Sequence, residues 1–337
     1  MQLAEYWETE SDGRIRCRLC PHQCLIADGH AGRCGVRMVR NGRLYAGGYG
    51  LLSGAHDDPM EKKPLYHFMP GSSVFSIGGW GCNLSCRFCQ NWGISQTVGR
   101  STRIVPPDEV IDMALGAGTR AVAYTYNEPL INFEYVLACA GLARSAGLAN
   151  VLVTNGMVNS APAAALLPLI DAVNLDLKSI EPEFYRDYCG GSLAPALEFA
   201  ISVRRAGCHL EITNLVIPGL NDRDELFVSL AEWIGEHLGA ATPLHLSAYH
   251  PAYKLQLPPT PPETLQRAGD ICRKTLPYVY LGNVAIDGQD TRCPGCGALQ
   301  VERRAYRADL RGLRQSGSAV SCAGCGRPAD FVLAREH

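Results

Sequence analysis

The sequence predicts an α/β protein: a full or partial parallel barrel of the (β/α)6 type with a small cysteine-rich metal module at each terminus. Short apolar runs alternate with helix-like stretches from residue 71 to 288, and strands joined by crossover helices form parallel sheets. The modules rest on a second observation: eleven of the 15 cysteines fall into three tight groups. The expected division is therefore 1–70, 71–288 and 289–337. A chain of 337 residues, 47% of them hydrophobic, can bury one large core with small appendages, which excludes disorder. A doubly wound sheet remains the rival to the barrel, because periodicity alone does not separate the two.

In chain order, residues 1–70 read as loop-rich, with eight glycines between Gly29 and Gly54. Strands are expected near 74–78, 121–126, 150–154, 172–177, 209–217 and 244–247, with a seventh extended run at 278–281. Between them, the 107–115 segment begins with Pro107, Asp108 and Glu109, a helix-start signature. Further helices are expected over 130–146, 161–169, 193–206, 224–238 and 262–275. Gly147 and Gly207 stand where two of these must stop. The four prolines of 257–262 make a stiff connector.

Formal net charge is −2, which selects no class of partner. Thiols at two- and three-residue gaps suit metals better than a disulfide framework and fit a reducing compartment. The opening MQLAEYWETE lacks the basic and apolar regions of a signal peptide, and no apolar run is long enough to span a bilayer. A cytoplasmic protein without membrane contact is expected. No P-loop appears and no GxGxxG follows a strand, so nucleotide hydrolysis and Rossmann binding lack support.

The central cysteines follow a buried-strand candidate, SVFSIGG at 73–79. Gly78, Gly79 and Gly81 let the chain turn sharply before Cys82, Cys86 and Cys89. In a parallel barrel, chemistry gathers in loops at the carboxyl ends of strands. Three thiolates can hold three irons of a [4Fe–4S] cluster that four cysteines normally hold, leaving one iron open to a ligand. Structural metal sites are closed, so an open one points to reactivity. The competing reading is zinc with a fourth ligand such as His67, or three unrelated thiols.

Cys-x3-Cys-x2-Cys with Phe88 before its last cysteine resembles the radical SAM superfamily. The phrases CRLCPHQC, GCNLSCRFCQNW, YTYNEP, VTNG, NLDLK and YVYLGNV more closely resemble the radical SAM enzyme of the AmmeMemoRadiSam system, related to pyruvate formate-lyase activating enzymes. That likeness covers nearly the whole chain. It implies that Cys82, Cys86 and Cys89 are catalytic and that S-adenosylmethionine binds the open iron. Reductive cleavage would then give a 5′-deoxyadenosyl radical that abstracts hydrogen from a substrate. It also implies a reductant such as a flavodoxin or ferredoxin, and cooperation with Memo-type and AMMECR-type proteins.

The same resemblance supplies a cofactor-binding set. Tyr126, Asn127 and Glu128 stand where the family has a GGEP element for the methionyl amine, with Tyr126 and Asn127 departing from its glycines; Glu128 can instead cap the following helix. Asn155 can face the ribose, although Val153 stands where activating enzymes carry an acid. Asp176 and Lys178 share one face of a strand and can hold the amine and carboxylate, or simply pair with each other. Phe88 and His250 complete the set, and a structural role is the alternative for the histidine.

Cys293-x2-Cys296 and Cys322-x2-Cys325 form two matched knuckles, a strong tetrathiolate signal for structural zinc of ribbon type; a rubredoxin-like iron is the alternative. The amino-terminal Cys17, Cys20, Cys24 and Cys34 can hold Zn2+ or a second iron–sulfur cluster, with His22 and His30 as substitute ligands. Both termini are arginine-rich: seven arginines from Arg14 to Arg43 face only Asp28, and Arg303, Arg304, Arg307, Arg311 and Arg314 face Glu302 and Asp309. Arginine suits phosphate and Tyr306 can stack a base, so RNA is a candidate partner. The alternative is compensation of metal thiolate charge. Three functions follow: glycyl-radical activation of a protein partner or an AmmeMemoRadiSam-type modification; radical C–H modification of an RNA base or small metabolite; and a non-catalytic zinc-binding module.

Overall fold

Eight strands of one sheet set the plan of the molecule: β1 (Gly54–Pro59), β2 (Ser73–Gly78), β3 (Ala121–Tyr124), β4 (Ala149–Thr154), β5 (Ala172–Asp176), β6 (His209–Val216), β7 (Leu244–Ala248) and β8 (Val279–Gly282). The computed structural model describes residues 1–99, 103–284, 288–317 and 319–334. Strands β2 to β8 run parallel in chain order, β1 lies antiparallel at one edge, and β8 ends the other edge, so the barrel is partial. The sequential order is that of a barrel, since a doubly wound sheet reverses direction partway.

Six helices make the crossovers: α1 (Pro107–Gly116), α2 (Phe133–Ser145), α3 (Ser160–Leu166), α4 (Leu193–Arg205), α5 (Asp224–His237) and α6 (Pro262–Cys272). Each agrees with its expected span to within a few residues. The α2 region opens as a 3-10 turn over Pro129–Asn132, and α3 ends in another over Leu167–Leu169. All four residues of β3 are buried, as expected for a strand covered on both faces.

Several elements lie outside the sequence expectation, the strands within 1–46 among them, and two bear on the cavity. Strand β1 carries two aspartates and ends at Pro59; charge and a terminal proline are edge-strand features that leave no alternating signal. The second is a helical turn over Pro182–Phe184 that runs into a π-helical segment, Tyr185–Cys189. Single π turns of this kind concentrate at functional sites.

Before β1 the chain forms two small antiparallel sheets, one of Trp7–Thr9, Ile15–Cys17 and Leu25–Ile26, the other of Gln2–Leu3, Arg37–Arg40 and Arg43–Ala46. Arg37, 1% exposed, anchors them by pairing with Glu134 on α2 at 2.9 Å. After β8, short strands build a ribbon over Val301, Val320 and Phe331. Its trailing segment returns to the barrel, where Phe68 bridges to Val332 and His67 Nδ1 meets the Asp330 carbonyl at 2.7 Å. Among the described residues no helix is long and apolar enough to cross a membrane.

Candidate active site and metal centres

The carboxyl ends of the parallel strands surround a cavity of about 560 Å³, a size typical of ligand sites. Cys82, Cys86 and Cys89 all line it, together with Phe88, Tyr126, Asn127, Glu128, Asn155, Asp176 and Lys178. The loop after β2 brings the thiols there. Gly81 has φ +83°, and a Cβ on it would lie 2.2 Å from the Cys34 carbonyl oxygen, so only glycine fits the turn. The π segment supports the loop from outside: Ser85 N–H donates to the Cys189 carbonyl at 2.8 Å and Arg87 N–H to that of Tyr188 at 2.9 Å. Cys189, fully buried, also hydrogen-bonds Cys86 and holds its thiol below the usual range.

Around the thiols the polar groups are largely committed. Cys82 Sγ accepts from Leu84 N at 3.3 Å and Asn155 Nδ2 at 3.7 Å, and Cys89 Sγ lies 3.2 Å from Ser95 Oγ. Glu128 accepts from Leu130 N, Thr154 Oγ1 and Asn155 N at 2.7–2.9 Å. It caps the turn after β3 and ties it to the end of β4, which is the capping role considered as its alternative. Burial pushes its carboxyl up to about 7. Asn127 accepts from Gly79 N and donates to the Gly81 carbonyl, holding the glycine turn in shape.

Lys178 Nζ and Asp176 Oδ2 pair at 2.7 Å on the cavity wall. Burial alone would lower the lysine, but Asp176 and Cys86 keep it raised. His250 is not brought to the cavity: it is exposed, and its Nε2 contacts the Asn283 carbonyl at 3.1 Å. His67 cannot serve the thiols either, being buried at the opposite end of the sheet against Tyr280 and Phe331.

Several lining residues carry no sequence signal. Lys62, Lys63, Thr213, Ser247 and Asn283 face the same cavity. Lys62 and Lys63 both bind Asp58, at 2.8 and 2.6 Å. The Tyr126 hydroxyl donates to the same aspartate, and Lys63 Nζ lies 4.6 Å from the ring centre. Tyr126 itself has φ 70°, a conformation that is strained in a bulky residue and recurs at functional sites. A Lys-Lys-Pro run in a loop-rich segment reads as solvated surface until β1 pairs with β2 and delivers it beside the start of that strand.

The two terminal cysteine groups differ in geometry. Cys293, Cys296, Cys322 and Cys325 place all four sulfurs within 4.8 Å of one another, with Cys293–Cys325 and Cys296–Cys322 both at 3.7 Å. A tetrahedral ion with metal–sulfur bonds of about 2.3 Å requires sulfur–sulfur edges of about 3.8 Å, so the ribbon fits a single Zn2+ or iron. No other group of described residues converges this tightly. A four-iron cluster is larger than one ion, so thiolates around it stand farther apart, and Cys82, Cys86 and Cys89 do not form a group of the tight, single-ion kind.

Most arginines of the termini already have partners. Arg14 pairs with Asp12, Arg16 with Glu10, Arg18 with Glu8, Arg304 with Glu302 and Arg311 with Asp309. Arg303 is buried between the Tyr66 and Tyr280 rings. Three of the acids, Glu8, Glu10 and Asp12, lie just outside the arginine-rich window, which hid the compensation. A larger cavity of about 1040 Å³ opens beside β8 and contains Arg273, Arg292, Arg303 and Arg304 but no thiol.

The sequence profile of the Radical SAM superfamily matches residues 77–231, the span from β2 through most of α5. An uncharacterized protein of Methanocaldococcus jannaschii is 39% identical over 99% of this chain and 100% of its own length. The pyruvate formate-lyase 1-activating enzyme of Escherichia coli is 27% identical over 50% of this chain and 71% of its own. Among solved structures, Streptococcus suis SuiB bound to S-adenosylmethionine is 14% identical with a TM-score of 0.49, covering 65% of this chain and 50% of that one.

Proposed function

Because this chain belongs to the radical SAM superfamily, we propose that Cys82, Cys86 and Cys89 hold a [4Fe–4S] cluster beside a site for S-adenosylmethionine, and that the enzyme acts on a protein partner. The observation that carries this is the convergence of the three thiols with Glu128, Asn155, Asp176 and Lys178 on one cavity at the strand carboxyl ends. Bound there, the cluster and cofactor supply a one-electron cleavage of the sulfonium and a carbon radical able to abstract hydrogen. The protein's share is to bind, orient and exclude water. The Asp176–Lys178 pair is an internal match for an amino-carboxylate: an incoming zwitterion gives each partner a new counter-ion, so neither buried charge is left alone. Phe88 and the Phe184 ring beside it, with centres 5.8 Å apart, close the apolar side.

Curated relatives named pyruvate formate-lyase activating enzymes support the activase class, with a flavodoxin or ferredoxin as reductant. An AmmeMemoRadiSam-type role with Memo-type and AMMECR-type partners rests on sequence resemblance. The RNA reading stays the second one, with fewer arginines to support it, since acids within each terminus pair with Arg14, Arg16, Arg18, Arg304 and Arg311. The ribbon, in this proposal, holds zinc as a separate structural module.

The test is anaerobic purification, a count of iron, sulfide and zinc, and addition of S-adenosylmethionine with a strong reductant. The expected result is release of 5′-deoxyadenosine, lost on changing Cys82, Cys86 or Cys89 to alanine. Zinc at every cysteine group with no cleavage would instead make this a non-catalytic binding module.

A further inference from the structure

The amino-terminal cysteines form a built site that the barrel chemistry leaves unexplained. Cys17, Cys24 and Cys34 lie within electrostatic reach of Cys20, yet the four sulfurs do not converge as those of the ribbon do. Backbone N–H groups point at them: Arg33 at Cys24 Sγ (3.4 Å), His22 at Cys20, and Val36 and Arg37 at Cys34. Such donors stabilise metal-bound thiolates and tune cluster potentials. The buried Arg37 guanidinium lies beside Cys17 and Cys34, and its Nε has no hydrogen-bond partner. Glu134 already pairs with this guanidinium, so what Arg37 adds at the thiols is a buried N–H without a partner rather than a spare charge. His22 Nε2 contacts the Asn83 carbonyl at 2.7 Å and His30 Nδ1 the Asp28 carbonyl at 3.0 Å, and four thiols complete a ligand set without either histidine.

The position of the group assigns it a task. The Cys34 carbonyl abuts Gly81, the residue before Cys82. His22 spans from the Cys20 sulfur, through its own N–H, to the carbonyl of Asn83, the residue after Cys82. Cys34 and Cys82 also share the wall of a cavity of about 110 Å³. Cys20, Cys24 and Cys34 are all partly exposed and only Cys17 is buried, so the group is open to an external donor.

We propose that Cys17, Cys20, Cys24 and Cys34 hold a second iron–sulfur cluster that passes single electrons from an external donor to the site at Cys82, Cys86 and Cys89. The relay half rests on the barrel thiols being cluster ligands; the metal half does not. One electron leaves a reduced ferredoxin or flavodoxin, lowers the charge of the outer cluster by one, and moves to the barrel cluster as the outer one is reoxidised. No bond or proton is exchanged. A zinc ion in the outer site would staple the segment but has no accessible redox state.

The test uses the full chain, purified without oxygen. A C82A/C86A/C89A variant should keep about four irons and about one zinc, with an electron paramagnetic resonance signal after dithionite reduction. Two zincs and no iron in that variant would overturn the second cluster. If the barrel reading alone were wrong, the triple variant would lose no iron relative to wild type. The variant His22→Phe keeps all four thiols and removes the bridge to Asn83. Its iron content should match wild type, while reduction of the barrel cluster by reduced flavodoxin slows severalfold. An unchanged rate in both His22→Phe and a C20A/C24A variant, whose retained ribbon zinc reports a folded chain, would overturn the relay.

Discussion

At the scale of single residues, one side of the cavity depends on an aspartate shared by two lysines and a tyrosine. Asp58 and Lys63 are both nearly inaccessible, and removing one partner of a buried pair strands the other. Lys63→Ala should destabilise the protein by about 3 kcal/mol, the low end for such a loss because Lys62 and Tyr126 still contact Asp58. Urea unfolding reads this, and a change below about 1 kcal/mol would mean the pair is solvated. Burial pushes His67 down to about 3, so it folds neutral while the unfolded chain takes up a proton near pH 6.5. Its stabilising contribution is complete above that pH and erodes as pH falls from about 6.5 toward 3, by up to about 1.4 kcal/mol per unit. His67→Gln should flatten the fall of the unfolding midpoint over that range by a matching amount; an identical slope would show that other groups set it.

Residue chemistry was readable where spacing carries it and hidden where topology does. Cys82, Cys86 and Cys89 announce themselves, and Asp176 with Lys178 follow from strand alternation. The Lys62–Lys63–Asp58 group did not, since nothing local to it reports that β1 will pair along β2 and bring these side chains to the cavity. His250 failed for the opposite reason: its place just past a strand suggested the cavity, but the backbone turns its ring to the Asn283 carbonyl.

At the scale of elements, the turn after β2 joins two modules through a contact that admits no side chain. Gly81→Ala demands both an unfavourable φ and displacement of the Cys34 carbonyl. The expected cost is about 1–3 kcal/mol, with faster proteolysis near residue 34 as the local sign; wild-type resistance would show that the amino-terminal segment does not bear on the turn. The helices were legible because each crossover has a proline, acid or glycine at its boundary. The π segment was not, because a helix with one extra residue in its turn has no hydrophobic period of its own. Its value lies in aiming two carbonyls and Cys189 at the cysteine loop.

At the scale of the whole molecule, the cysteine-centred ribbon is tied to the barrel by its last strand-like segment and by Arg303, packed between Tyr66 and Tyr280. On the proposed function, Cys296→Ala should abolish metal binding at the ribbon and lower the thermal midpoint, with S-adenosylmethionine cleavage persisting. Loss of that cleavage along with the metal would make the ribbon part of the active enzyme. The succession of strands and helices and the thiol groups could be read from periodicity and cysteine spacing, but the barrel order of the strands could not. Which module touches which could not, because Cys34 meeting Gly81 and Arg37 meeting Glu134 are long-range contacts.

The hydrogen bond between His67 and Asp330 crosses 263 residues of chain. Closing so long a loop gains nothing until nearly everything between has condensed, since its entropic cost precedes its reward. During synthesis at about 5–20 residues per second, β2 to β8 emerge well before Asp330 and Phe331 can arrive. Tyr66, His67 and Phe68 therefore spend that interval as an open aromatic seam on a nearly finished barrel. A nascent chain held at that stage is the form in which a chaperone would meet this protein.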